Sequence, residues 1–268
     1  MPMALITGAR IHYDLIGQGP PVVLTMGQGV GMAARAELLE GLARHHQVLT
    51  YDPRGTGRSE RVPQGHSVEA LADDVAALMD AAGIEAAPVI GTSTGTGKAT
   101  ALAVRHARRV SRLVLAAPWT HGDADLQVLQ GLRKAAARTM PPDHYAQLNA
   151  LLIYPPEYRR AHHARMADLA QAALAAPQDA PGIAARLDAI LAFDARPLYP
   201  CIACPTLVMG ARDDLVMPLW HAQAAAQAIP GARLITLDGG GHLFAETRTA
   251  EFLQHVLPFL QDTGAAHV

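Results

Sequence analysis

Residues 91–95 read Gly-Thr-Ser-Thr-Gly, and what flanks them fixes how the backbone must run there. Ahead lies the short apolar run Ala87-Pro88-Val89-Ile90; behind, Lys98-Ala99-Thr100-Ala101-Leu102-Ala103-Val104 reads as a helix. A strand passing through Gly-x-Ser-x-Gly into a helix makes a very tight, strained corner, a nucleophile elbow. The demand for glycine is steric. A side chain at either flank would strike the neighbouring strand or helix, whereas hydrogen leaves Ser93 Oγ projecting from the top of a sheet. A serine held in that way needs partners, and the remaining chain must supply them.

Strands and helices alternate on both sides of this corner. Residues 4–6 and 10–16, around a Thr7-Gly8 turn, predict a hairpin. The apolar run 21–26 suits a parallel strand covered on both faces and stops at Gly27-Gln28-Gly29. A helix over 33–45, a strand over 47–51 and a loop at Asp52-Pro53-Arg54-Gly55-Thr56-Gly57 follow. Ser67 is placed to cap the next helix, with Glu69 in its positive first turn. Leu71, Val75, Leu78 and Met79 fall on one face of that helix. After the elbow and its helix comes a strand over 113–117.

From 119 to 199 the alternation stops. The stretch is helix-like, broken at Pro141-Pro142, Pro155-Pro156 and Pro181-Gly182. It resumes with a strand over 206–210, a helix from Pro218 to Ile229, a strand over 233–237 and a helix over 247–260. Such a pattern predicts an α/β fold whose mostly parallel, twisted sheet carries helices on both faces. Residues 1–118 and 200–268 are expected to form its core and 119–199 a helical cap.

Composition narrows the setting. Of 268 residues half are hydrophobic and 17% charged, enough for a sizeable core. A net charge of -2 gives no electrostatic reason to expect nucleic acid or an anionic membrane as partner. The opening Met-Pro-Met-Ala-Leu-Ile lacks a basic region followed by a long apolar stretch, and no apolar run approaches the roughly 20 residues that span a bilayer. Two cysteines do not make a disulfide framework. The expectation is a cytoplasmic protein acting on a small molecule, with no bound cofactor or metal; the sequence leaves the oligomeric state open.

In an open parallel sheet, functional residues collect at the carboxyl ends of the strands. Four such ends stand out here: Gly27-Gln28, Ser93, Asp213-Asp214 and His242. A hydroxyl is a poor nucleophile at neutral pH. It needs an imidazole to take its proton and a carboxylate to hold that imidazole in the right tautomer and stabilise its cation. Ser93, His242 and one of the two aspartates form such a set, in the chain order Ser, Asp, His.

With these residues in place, the chain resembles the α/β-hydrolase family over nearly its whole length. The matching segments are Gly17-Gln18-Gly19-Pro20-Pro21, Tyr51-Asp52-Pro53-Arg54-Gly55-Thr56-Gly57-Arg58-Ser59, the elbow, Asp213-Asp214-Leu215-Val216-Met217-Pro218 and Gly240-Gly241-His242. Within the family it looks most like the RutD-type aminoacrylate/carbamate hydrolases. The supporting segments are 51–57, Leu152-Ile153-Tyr154-Pro155-Pro156-Glu157-Tyr158 and Cys204-Pro205-Thr206-Leu207-Val208. It is also similar to 3-oxoadipate enol-lactonases. The resemblance implies a serine hydrolase that cleaves a small carboxylic ester, lactone, amide or carbamate through an acyl-enzyme. It selects Asp214, four residues before Pro218, as the triad acid and leaves Asp213 to cap the loop. It implies an oxyanion hole made by the backbone N–H groups of Gln28 and Thr94. Two departures stand out: Met26 occupies the place where the family commonly has histidine, and Thr94 and Thr96 replace bulkier apolar and small residues.

Other readings of single features are weaker. A cofactor-free haloperoxidase or perhydrolase uses the same triad, and a non-catalytic ligand-binding module uses the same scaffold. Gly95-Thr96-Gly97-Lys98 fails the P-loop spacing, which needs glycine at Thr92 and a hydroxyl residue at Ala99. Cys201-Ile202-Ala203-Cys204 precedes a strand and has no second pair, which favours structural thiols over a redox or zinc site. His162 and His163, adjacent in sequence, read as solvated cap residues, and His45-His46 as a favourable helix C-terminus. Arg54 is expected to brace its loop by pairing with Asp52. Trp119 and Tyr154 are the candidates for lining the substrate pocket.

Overall fold

The computed structural model describes residues 2–27, 36–62, 67–175 and 178–262. Its centre is an eight-stranded sheet. A hairpin of β1 (Met3–Ile6) and β2 (Ala9–Ile16) opens it, and β2 pairs antiparallel with β4 (Gln47–Tyr51). From there every pairing is parallel: β4 to β3 (Pro21–Thr25), then β5 (Ala87–Thr92), β6 (Val110–Ala116), β7 (Thr206–Ala211) and β8 (Arg233–Leu237). The strand order is β1-β2-β4-β3-β5-β6-β7-β8, so the direction of winding reverses beside β3 and β5. Ligands bind at such a switch point in open α/β sheets.

The period of two along each strand builds two cores at once. Val23, Val89, Leu113 and Val208 face one way, against α2 (Val68–Ala81), α3 (Gly95–Arg105) and α9 (Leu219–Ala228). Their neighbours Val22, Ile90, Val114 and Leu207 face the other, against α1 (Ala36–Ala43) and α11 (Thr249–Gln261). Because both faces are covered, the central strands are continuous apolar runs rather than alternating ones. Ser67 does cap α2, its hydroxyl accepting the Ala70 N–H at 3.1 Å.

Between β6 and β7 run α4 (Ala124–Thr139), α5 (Pro142–Ile153), α6 (Pro156–Ala161), α7 (His163–Ala173) and α8 (Ala180–Ala192). Helix α4 packs on α8 and α5 on α7. The proline pairs at 141–142 and 155–156 separate helices, as the sequence predicts. Pro181-Gly182 does not. It lies in the first turn of α8, where proline has no intrahelical N–H to lose, and Asp179 caps the helix by accepting the Gly182 N–H at 3.0 Å.

Two further expectations need correction. The last helix is in two pieces, a single turn α10 (Phe244–Thr247) and then α11, with Arg248 between them outside helical geometry (φ -132°, ψ 47°). The turn is tied back by the Thr247 hydroxyl, which donates to the Gly240 carbonyl at 2.6 Å. Arg54 reaches past Asp52 to α2. Its Nε donates to Asp74 Oδ2 at 2.6 Å and its Nη2 to Oδ1, a buried bidentate pair. Asp52 instead faces its own loop and accepts the Arg58 N–H at 3.0 Å. A local carboxylate that already serves the turn leaves the arginine free to tie the loop to a helix.

Candidate active site

The corner after β5 is as tight as its glycines imply. Ser93 has φ of 54°, left-handed backbone that costs a non-glycine residue roughly 1–3 kcal/mol. Neighbours hold it there: the Ser93 N–H donates to the Ala116 carbonyl at 2.9 Å, and the Thr96 N–H and hydroxyl donate to the Ser93 carbonyl at 2.9 and 2.6 Å. A Cβ on Gly91 would sit 2.8 Å from the Gly95 carbonyl oxygen, and one on Gly95 would sit 2.1 Å from that of Thr25. Neither position admits a side chain without moving α3 off the sheet.

Three strand ends converge above this corner. Ser93 Oγ lies 2.7 Å from His242 Nε2, and His242 Nδ1 lies 2.9 Å from Asp214 Oδ2 and 3.1 Å from Oδ1. His242 and Asp214 are buried, and Ser93 is half-buried. Asp214 Oδ1 also accepts the N–H groups of Val216 (2.8 Å) and Met217 (2.9 Å), so the loop after β7 clamps the carboxylate in one orientation. A carboxylate on Nδ1 assigns the imidazole proton there and leaves the Nε2 lone pair toward the serine hydroxyl.

The neighbouring carboxylate has a different task. Asp213 accepts the N–H groups of Gly240 (3.2 Å) and Gly241 (2.9 Å), which ties the loop after β7 to the loop carrying His242. That second loop is also held from above. The His242 N–H donates to the Ile153 carbonyl at the end of α5, at 3.0 Å. Gly241, at φ 66°, passes so close beneath this bend that a Cβ would lie 2.7 Å from the same carbonyl oxygen.

Ser93, Thr94 and His242 share a cavity of about 490 Å³ with Gly27, part of it open to solvent. Leu187, Ile190, Val216 and Met217 give it apolar walls, and Arg133 is the charged side chain among them. Thr94, whose N–H follows the serine in the chain, is the N-cap residue immediately before α3. Gln28 lies outside the described residues. Trp119 is buried and lines an adjoining cavity with Thr94, Lys98, Arg186 and Ile190, its indole N–H donating to the Ile190 carbonyl at 3.1 Å. Tyr154 is not among the residues lining the cavity at Ser93. At the α5 C-terminus it packs with Ala150 and Leu243, stacks on Tyr158 (ring centroids 5.2 Å apart) and donates its hydroxyl to Glu246 at 3.3 Å. Burial, reinforced by the Glu246 charge, pushes its phenol pKa up.

Lys98, which the sequence reading weighed only as a P-loop lysine, lines the adjoining cavity, and Arg133, which it did not pick out, lines the cavity at Ser93. Lys98 is buried; its ammonium donates to the Met26 carbonyl at 2.8 Å and sits 5.5 Å from the centre of the Tyr51 ring. It therefore anchors the end of β3 immediately before Gly27. Arg133 did carry a signal. It shares a helix face with Leu126, Gln130 and Ala137, three buried residues, so a cation stands where α4 turns inward. Among the described residues, no group of three or more His, Cys, Asp or Glu side chains is arranged to hold a metal ion.

The family described as the alpha/beta hydrolase fold matches residues 20–249. A protein of Azorhizobium caulinodans named "Putative carbamate hydrolase RutD" is 32% identical over 259 residues, covering 97% of this chain and 98% of its own. The crystal structure of the enol-lactonase from Burkholderia xenovorans LB400 superposes with a TM-score of 0.85 at 31% identity, covering 97% of this chain and 99% of that one. A hydrolase from Pseudomonas aeruginosa PA01 superposes with a TM-score of 0.86 at 29% identity, covering 97% and 98%.

Proposed function

The chain belongs to the α/β-hydrolase fold family and is a hydrolase, and we propose that it works as a serine hydrolase through an acyl-enzyme. The observation that carries the reading is the hydrogen-bonded file from Ser93 Oγ through both nitrogens of His242 to Asp214, drawn from three separate loops. In this reading Ser93 Oγ attacks an acyl carbonyl while His242 Nε2 takes its proton. Asp214 keeps the ring oriented and stabilises the imidazolium that forms. The tetrahedral oxyanion is met by the Thr94 N–H and, from beyond the described residues, the Gln28 N–H; each such donor is typically worth about 10²–10³ in rate. His242 then returns the proton to the leaving group, and water repeats the sequence to release the acid.

The substrate is a small carboxylic ester, lactone, amide or carbamate. Carbamate and enol-lactone cleavage, the activities named for the relatives, both fit this scheme. No described helix is long and apolar enough to cross a membrane, and the reading is of a cytoplasmic enzyme. The test is hydrolysis of p-nitrophenyl acetate by wild type and Ser93→Ala. Turnover should fall by roughly 10⁴-fold or more in the variant, and a fluorophosphonate probe should label the wild-type chain at Ser93. Equal rates would remove Ser93 from the mechanism, and a wild-type chain inert to both reagents would favour a ligand-binding module.

A further inference from the structure

Glu246 stands four residues beyond His242 on the single turn α10, with a side chain only 8% exposed. The proposed chemistry does not use it. Its Oε1 accepts from two of the helical segments inserted between β6 and β7: from the Tyr154 hydroxyl at 3.3 Å, at the end of α5, and from Arg165 Nη2, on α7. Arg165 also reaches α6, its Nη1 donating to the Tyr158 hydroxyl at 3.2 Å. The rings of Tyr154, Tyr158 and His162 stack in file, with centroids 5.2 and 3.9 Å apart, so the phenol that meets Glu246 is itself held.

Such an ion pair is a weak source of stability, because taking both charges out of water costs about as much as their attraction gives back. Burial opposes the Arg165 charge, yet the Glu246 charge, helped by the neighbouring phenols, more than offsets it and raises the guanidinium pKa. What the pair fixes is more informative. Residues 240–247 form a closed unit: the Thr247 hydroxyl donates to the Gly240 carbonyl at 2.6 Å, and the Glu246 N–H to the Leu243 carbonyl at 2.7 Å. A displacement of Glu246 is therefore passed on to His242. Leu243 packs with Ala150 and Tyr154, and the His242 N–H reaches Ile153, the residue before Tyr154. These attachments meet at the end of α5, and the ion pair adds α7.

We propose that Arg165 and Glu246 are positioning residues, whose ion pair sets the 240–247 segment so that His242 Nε2 meets Ser93 Oγ at hydrogen-bonding distance. The proposal rests on the serine-hydrolase reading for the proton transfer that this alignment serves. Asp214 fixes the ring at Nδ1, but the direction of Nε2 also depends on where the main chain places the histidine. That placement is what the ion pair decides. A guanidinium on α7 thereby enters the rate of the reaction, although neither it nor Glu246 lines the cavity at Ser93.

The experiment follows p-nitrophenyl acetate hydrolysis by Arg165→Met, Glu246→Gln and the double variant, each checked for native far-UV circular dichroism and assayed well below its Tm. A misplaced base slows acylation and deacylation together. Both kcat and kcat/KM should therefore fall by about 10–100-fold, with KM within about twofold of wild type. The double variant should be no more than about threefold slower than the slower single one, as expected of groups that act as a unit, and losses that multiply would refute the pairing. Arg165→Lys, which keeps the charge, should recover part of kcat. Glu246→Gln keeps the shape and an acceptor for both donors, and it carries the test if Arg165→Met does not fold. An independent readout is the strongly deshielded Nδ1 proton of His242 in its bond to Asp214, assigned by its absence from His242→Gln. Its NMR signal should broaden or exchange faster with solvent in Arg165→Met and Glu246→Gln. Wild-type kcat in both single variants, a loss confined to KM, or an unaltered Nδ1 signal beside a fallen kcat overturns the proposal. If Ser93→Ala hydrolyses the ester at the wild-type rate, the serine reading fails, while the Nδ1 signal still decides whether the pair holds His242.

Discussion

Replacing Gly95 by alanine puts the elbow argument to a quantitative test. The new methyl would lie 2.1 Å from the Thr25 carbonyl oxygen, 2.7 Å from its carbon and 2.8 Å from Thr25 Oγ1. These atoms belong to the middle of the sheet, and the first contact is more than an ångström inside normal van der Waals separation. The start of α3 must therefore move off β3. Overpacking of this kind typically costs about 1–3 kcal/mol. The shift also breaks the buried hydrogen bond from the Thr25 hydroxyl to the Gly95 carbonyl (2.8 Å), a further ~0.5–1.5 kcal/mol. Alanine's better helix propensity recovers up to ~1 kcal/mol. The net is a loss of about 2–3 kcal/mol, or roughly 4–12 °C in Tm for a chain of this size. Thermal melts by circular dichroism measure it directly, with Gly131→Ala as control. At Gly131, on α4, an added Cβ meets nothing within 4 Å, and the same substitution should leave Tm unchanged or raise it slightly. A Gly95→Ala protein that melts with wild type would show that the corner has slack, and the steric account of both elbow glycines would fall.

The two adjacent aspartates should separate cleanly in kinetics. Asp214→Asn is expected to lower kcat by about 10⁴-fold through the wrong histidine tautomer, whereas Asp213→Asn keeps an acceptor for Gly240 and Gly241 and should cost far less; equal losses in ester turnover would refute the division of labour. Stability should fall in mild acid, partly through His221. Its Nδ1 accepts the Thr120 N–H at 3.3 Å, and burial lowers its pKa despite Asp123 nearby. The unfolded chain takes up a proton near pH 6.5 that the native state refuses, so stability declines as pH drops below about 6.5 and levels off beneath the folded pKa. His46, lowered chiefly by burial, acts in the same direction. Urea midpoints at about pH 7.5 and 5.5 should differ less in His221→Asn than in wild type, and an unaltered difference would clear His221 of the effect.

The fold was legible because its period-two and helical patterns are strong and its turns carry their own chemistry. Val22-Val23 and Val89-Ile90 announce strands buried on both faces, and Ser67 announces a cap. The misreadings share a cause: a residue whose partner is remote in sequence. Arg54 sits two residues from Asp52 in the chain but reaches Asp74 in space. Pro181 resembles a breaker until Asp179 is seen capping a helix over it. Ser93, Asp214 and His242 were visible through order and strand-end position. The walls of the cavity were not, because Leu187 and Ile190 on α8 and Arg133 on α4 face it only through the packing of those two helices. Tyr154 illustrates the converse, an aromatic beside the site in sequence that serves the packing of α5 instead.

The hydrogen bond from His242 to the Ile153 carbonyl has an implication for anyone recombining such enzymes. Transplanting the 124–192 region from another hydrolase to alter selectivity would also transplant the support of the proposed base, His242. A donor lacking a helix end at the height of residues 153–155 would leave the imidazole loop slack beneath a foreign roof. In the proposed mechanism, selectivity and competence are mechanically joined, and a successful graft has to carry that bend with it.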